Sequence, residues 1–261
     1  MSQQIQIRTY SPRTMATLDQ TLKELFNGLW LEQYQEEVFR ICDELIKNGV
    51  KSNYRTILYW IEARKRLIDN NPDMTIAEAD DWLKEVFYSG EDSLIATQIG
   101  KTDRQTILNK LVRILEMEAK YIDHRMGRRE VADPSILQTL LRIKKFCRKQ
   151  QIGVRLQIEF DQDRINITIT NDAPILNDDL NRIQAVRSNF REYQRQGNEE
   201  MFFIENINTE GGGHGLGYPL MDSILSTMKL DPDSSLFLIS ASQTMILLTL
   251  PVKSPEQYTL S

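Results

Sequence analysis

The stretch VRLQIEFDQDRINITIT, Val154 to Thr170, decides how the rest of the chain is read. Apolar residues fall at every second position, Val154, Leu156 and Ile158 before Asp161-Gln162-Asp163, and Ile165, Ile167 and Ile169 after it. Period-two alternation turns one face of a strand to a core and the other outward. Two such runs about a polar turn predict an antiparallel hairpin. Toward the C-terminus, SLFLISA and MILLTLPV flank Ser242 and Gln243 and predict a third and a fourth strand. Between the two pairs lie a predicted helix near Asp178 to Glu192, a polar stretch, the glycine run TEGGGHGLG, and a helix from about Tyr218 to Lys229. This half reads as strands and helices sharing one sheet.

Upstream the period changes. From Ser11 to about Gly49, apolar residues recur at helical spacing: Met15, Leu18, Leu22, Leu25, Phe26 and Leu29, then Val38, Ile41, Cys42, Leu45 and Ile46. Two amphipathic helices are expected, separated near Trp30 to Leu31. From Asn53 to Gln150 strand signals are nearly absent. TIAEADDWLKEVF, DRQTILNKLVRILEMEAKYI and DPSILQTLLRIKKFCRK each begin on a Thr or Asp able to cap a helix, which predicts a helical block.

The bulk numbers narrow the function classes. A 41% hydrophobic share over 261 residues suffices for a globular core. With 32 basic against 37 acidic residues the net charge of -5 gives no overall attraction to nucleic acid or anionic lipid. The basic runs HRMGRR and RIKKFCRKQQ have few aromatic residues among them and read as solvated helix faces. MSQQIQIRTYSPR lacks the apolar core of a signal peptide, and no apolar run approaches the roughly 20 residues that span a bilayer. A cytoplasmic protein that engages neither membrane nor nucleic acid is expected. Cys42 and Cys147 lack metal-ligand spacing and read as two buried or semi-buried thiols.

Two constellations carry chemistry. Gly211, Gly212, Gly213, Gly215 and Gly217 fall within seven residues just before a predicted helix. Such a segment can turn successive backbone N–H groups toward an anion where the helix dipole adds attraction; the plain alternative is a surface loop. It is not a P-loop, because Tyr218 and Pro219 stand where Lys and Ser/Thr would be. No early βαβ unit supports a dinucleotide fold either. In VFRICDELIKNGVKSNYR, Glu44 and Asn48 are four residues apart and share a helix face. A carboxylate there can orient or deprotonate an attacking group, and the Asn oxygen is a hard ligand suited to Mg²⁺. The plain alternative is a solvated face that ends at an Asn-Gly helix stop.

Taken in order, these pieces resemble the GHKL ATPases, the superfamily of gyrase, heat-shock chaperone, mismatch-repair, histidine-kinase and anti-sigma-factor-kinase ATP domains. DELIKNGVKSN is similar to the N box, ITITNDAPI to the G1 box and GGGHGLGYPLMDSIL to the G2 box. The resemblance implies a two-layer α/β sandwich with a mixed, mainly antiparallel sheet, helices on one face, and ATP and Mg²⁺ as cofactors. It places Glu44 on the general base and Asn48 on the Mg²⁺ ligand. It sets Gly211, Gly212, Gly213, His214, Gly215, Leu216 and Gly217 around the triphosphate. Asn171 falls where the family has its adenine-binding aspartate, with Asp172 as a substitute one residue on; Ala173 and Pro174 replace glycines.

The implied ATP domain is split into 1–54 and 150–253, with 55–149 as a helical insertion. That insertion can serve as a lid, a partner-binding domain, a dimerisation element giving a homodimer, or a plain elaboration packed on the sheet. The expected activity is a signalling ATPase or a protein kinase acting on a partner protein, with a non-catalytic interaction protein on the same scaffold as the alternative. His124, in KYIDHRMGRR, follows the N box and lacks a phospho-acceptor context.

Overall fold

The computed structural model describes residues 2–7, 11–88, 101–125, 127, 134–175, 177–206, 216–240 and 243–254. The hairpin forms as its alternation dictates. Strands β2 (Val154–Phe160) and β3 (Arg164–Asn171) pair antiparallel with Ile158 opposite Ile167. The turn is held by Asp161, whose Oδ1 accepts from the N–H groups of Asp163 and Arg164 at 2.8 and 2.7 Å. β4 (Leu236–Ser240) and β5 (Thr244–Pro251) form the second hairpin, and β5 pairs with β3. A strand outside the expected set, β1 (Ser2–Ile7), adds to the free edge of β2 and completes a five-stranded sheet in the order β1-β2-β3-β5-β4. Among the described residues all four pairings are antiparallel, so the sheet is not the mixed one expected. The fold class is α/β.

One sheet face is apolar. Val154, Leu156, Ile158, Ile165, Ile167, Ile169, Ile246, Leu248 and Leu250 are buried in one core with Leu18 and Leu22 of α1 (Pro12–Phe26). Helix α2 (Gln35–Asn70) adds Ile41, Leu45 and Ile46 to that core. α1 begins where the Ser11 hydroxyl accepts from the Thr14 N–H at 3.2 Å, with Pro12 in the first turn, where its missing N–H costs nothing. A 3₁₀ turn, Trp30–Tyr34, separates the two helices where the sequence predicted, and Trp30 Nε1 donates to the Pro251 carbonyl at 2.9 Å.

α2 does not stop at Asn48-Gly49. It runs for 36 residues, about 54 Å at 1.5 Å per residue, and ends just before Pro72. Gly49 has a packing role here: a Cβ on it would lie 2.9 Å from Val154 Cγ2, so the absent side chain is what lets α2 cross β2 closely. The helix passes the 54/55 boundary unbroken and enters the helical block.

That block comprises α3 (Ile76–Tyr88), α4 (Lys101–Arg125) and α5 (Pro134–Lys149). α3 opens with a capping box: the Glu78 N–H donates to Thr75 Oγ1 at 3.3 Å, and the Thr75 N–H donates to Glu78 Oε2 at 2.8 Å. A second core gathers here, in which Tyr59, Trp60, Ala63 and Leu67 of α2 meet Leu83, Val86 and Phe87 of α3 and Ile107 of α4. Trp60 stacks on Phe87 at 5.3 Å and donates to buried Asp80 at 2.8 Å.

After β3 come α6 (Asn177–Arg195), α7 (Glu199–Asn206) and α8 (Gly217–Thr227), then the short α9 (Pro232–Ser235). α7 falls in the stretch expected to be merely polar. Phe202 anchors it, with its ring 5.1 Å from that of Phe190 on α6. α6 and α8 are locked by a buried ion pair in which Arg187 Nη2 and Nε donate to the two oxygens of Asp222 at 2.7 and 2.8 Å. Nη1 also donates to the Leu236 carbonyl at 3.3 Å. The Asp222 partnership outweighs the cost of burial and raises the Arg187 pKa.

Candidate functional site

Glu44 and Asn48 share a face of α2, and the Asn48 amide donates to Glu44 Oε1 at 3.1 Å. That same oxygen lies 2.5 Å from the place a Cβ on Gly217 would take, and Glu44 Cδ lies 3.2 Å from it. Residues 173 positions apart in sequence are thus in contact, and the contact requires glycine at 217. Leu216 is the cap position of α8 and gives no side-chain hydrogen bond to the helix start, and Pro219 in the first turn has no N–H to offer. Gly211, Gly212, Gly213, His214 and Gly215 lie outside the described residues.

The polar stripe on α2 continues beyond the expected pair. Lys51 and Arg55 stand seven and eleven residues after Glu44, on the same helical face. Arg55 forms an ion pair with Asp179 near the start of α6, and Arg182 reaches the other oxygen of Asp179 at 3.3 Å. Burial lowers the Lys51 pKa, and Arg55 and Arg182 lower it further; Glu44 and Asp179 only partly compensate. The i, i+4, i+7, i+11 spacing was the available signal for this cationic extension.

Asn171 and Asp172 occupy the end of β3, both buried. The Asn171 amide folds back on its own turn, donating to the Ala173 carbonyl at 3.2 Å and accepting from the Ala173 N–H at 3.5 Å. Thr244, its partner across the ladder, also donates to the Ala173 carbonyl, at 3.0 Å. Asp172 is engaged on both oxygens: the Gly153 N–H donates to Oδ2 at 2.9 Å, and Arg155 and Gln243 reach Oδ1 at 3.0 and 3.3 Å. Burial raises its pKa, opposed by Arg155 and Gly153. In this arrangement Asp172 clamps the two hairpin strands.

Both cysteines are buried and free, and burial pushes each thiol up to about 12, too high for a thiolate nucleophile. Among the described residues no group of three or more His, Cys, Asp or Glu could hold a metal, and no helix is long and apolar enough to cross a membrane. No protein-family model, curated protein or solved structure matches the chain.

Proposed function

We propose that this chain is an ATP-binding signalling protein of the GHKL type, a Mg²⁺-dependent ATPase or protein kinase. The observation that carries the reading is the contact of Glu44 with Gly217, which sets the E-x-x-x-N helix against the last glycine of the glycine-rich run. In this reading the start of α8 and the preceding glycines hold phosphate oxygens, with Lys51 and Arg55 adding positive charge on the same side. The donor half of the Asn48 amide is spent on Glu44, which leaves its oxygen half for a cation. A single hard protein oxygen fits Mg²⁺, which takes its other ligands from phosphates and water. Glu44 would take the proton of the attacking water or hydroxyl. Its carboxylate also repels a triphosphate at this distance, so nucleotide binding should require the cation.

Isothermal titration tests this directly. ATP with Mg²⁺ should bind, and EDTA should weaken binding at least tenfold; no heat at millimolar ATP and Mg²⁺ sinks the reading. ATP turnover or phosphate transfer that disappears in Glu44→Ala supports catalysis.

A second reading, a non-catalytic interaction protein on the same scaffold, is favoured by one observation. Both polar atoms of the Asn171 amide bond the backbone of Ala173, where an adenine amine would need the oxygen. ATP binding with equal inactivity in wild type and Glu44→Ala would select it.

A further inference from the structure

The sheet face turned away from the core is divided. Gln157, Asn166 and Thr168 make its β2–β3 half polar, whereas Phe237, Ile239 and Met245 keep the β4–β5 half apolar and are 43%, 50% and 38% exposed. Among the described residues β4 also ends the sheet. Its sequence LFLIS holds neither a charge nor a proline, two of the devices by which edge strands turn other strands away.

The alternation of bonds along the ladder fixes which backbone groups of β4 are spent. Just past the β3–β5 pairing, the Val252 N–H donates to the Asp163 carbonyl at 2.8 Å. Counting back by twos, Leu250, Leu248, Ile246 and Thr244 bond β3, which leaves Leu247 and Met245 to bond Phe237 and Ile239. Leu236 accordingly turns away from β5. Its N–H donates to the Pro232 carbonyl, and its own carbonyl accepts from Arg187 Nη1 at 3.3 Å. Leu238 and Ser240 turn their N–H and C=O groups the same way, and among the described residues no hydrogen bond reaches them there. Arg187 and α9 thus cover the edge at Leu236 alone.

We propose that β4 pairs antiparallel with β4 of a second copy of this chain, about a two-fold axis at Ile239. In that register Leu238 lies opposite the partner's Ser240, and Ser240 opposite the partner's Leu238. Each pair exchanges two N–H···O=C bonds, so all four open groups of each copy are satisfied. Pairing Leu238 with its own mate would instead set Ser240 against a Leu236 whose groups are already spent. Ile239 meets the partner's Ile239 at a non-hydrogen-bonded site, the closer kind, with Cα atoms about 4.5 Å apart. Neither β4 nor β5 carries a charge, so the axis brings no like charges together. At about 200 Å² for a large side chain, the exposed parts of Phe237, Ile239 and Met245 amount to roughly 250 Å² per copy. Even full cover of both copies falls short of the ~1,200 Å² of a stable interface, so the dimer is weak and reversible. The proposal goes beyond the nucleotide reading and does not depend on it. It sets the dimer contact on the sheet edge rather than on the helical block.

Sedimentation equilibrium of the full chain should show the average mass climbing from 30.4 kDa toward twice that value, with Kd on the order of 100 µM. Ile239→Lys, at a half-exposed position, sets two ammonium groups against each other and should weaken association at least tenfold. Should that variant misfold, Ser240→Pro replaces it, since it deletes an N–H that only the second copy uses; the same loss is expected. Under mild oxidation Ile239→Cys should trap a covalent dimer, because the expected Cα separation lies within disulfide reach. Phe237→Cys, which this register sets four residues away from its own mate, should not. Cys42 and Cys147 are buried and stay out of the exchange. A chain that remains monomeric up to about 1 mM, association unchanged in these variants, a mass beyond two copies, or self-cross-linking of Phe237→Cys overturns the proposal.

Discussion

Glu44 Oε1 occupies the space that a side chain on Gly217 would need, 2.5 Å from the Cβ position. The atom in the way is the end of a flexible side chain, so Gly217→Ala should fold, with Glu44 swung aside. Its thermal midpoint should stay within about 4 °C of wild type, because about 1 kcal/mol or less is at stake. ATP affinity should fall at least tenfold through the displaced Glu44–Asn48 pair. Unchanged affinity in a folded variant would show that the Glu44–Gly217 contact does not shape the site.

Gly49→Ala poses the opposite case, because the obstructing atom belongs to the stiff, fully buried Val154. Overpacking costs about 1–3 kcal/mol, and the better helix propensity of alanine returns at most about 1. Net destabilisation of about 1–2 kcal/mol is expected in urea titrations. Val154→Ala makes room, so the double variant should lose less than the sum of the two single variants. Strict additivity would contradict the close crossing.

Asp222 is fully buried and holds Arg187 through two hydrogen bonds. Asp222→Ala leaves a buried guanidinium without its counter-charge and should cost about 3–5 kcal/mol by chemical denaturation. Arg187→Met combined with Asp222→Leu should recover most of that loss. If the double variant is no better than Asp222→Ala, the pair has a role beyond charge compensation.

Burial raises the Glu118 pKa above its ordinary 4.5, against the opposing effects of Tyr54 and Lys144. A carboxyl whose folded pKa is raised binds more protons folded than unfolded. Its stabilising contribution is therefore full below about 4.5 and fades as pH climbs through the folded value. Glu118→Gln removes this titration while keeping an acceptor for Tyr54. The stability of the variant relative to wild type should be flat below pH 4.5 and improve above it. A difference that stays constant from pH 4 to 8 would rule this out.

The four strands after Gly153 were legible because half-buried strands must alternate, and Ile165, Ile167 and Ile169 leave no other register. β1 was not legible: SQQIQI offers two apolar residues, and its pairing depends on the free edge of β2 rather than on its own pattern. Asn48-Gly49 carries the local signature of a helix end, but Val50, Tyr54 and Ile57 continue the buried face beyond it. Tertiary packing overrode the local signal. Within the candidate site, the i, i+4 spacing placed Glu44 and Asn48 on one face, whereas the meeting with Gly217 is a tertiary fact that no local period encodes. The engaged state of Asp172 was equally hidden, since it depends on Arg155 of β2 and on Gln243 just before β5.

The unbroken passage of α2 from the sheet core to the core of Trp60 and Phe87 makes one helix the shared shaft of both parts. Deleting 55–149 would saw that shaft in two and strip Tyr54 of its Glu118 acceptor, so the helical block is no detachable appendage. A rotation of α2 set by packing around Trp60 would be carried along the same helix toward Asn48 and Glu44, about three to four turns away. Whatever grips the far half of the shaft holds a handle on the near half.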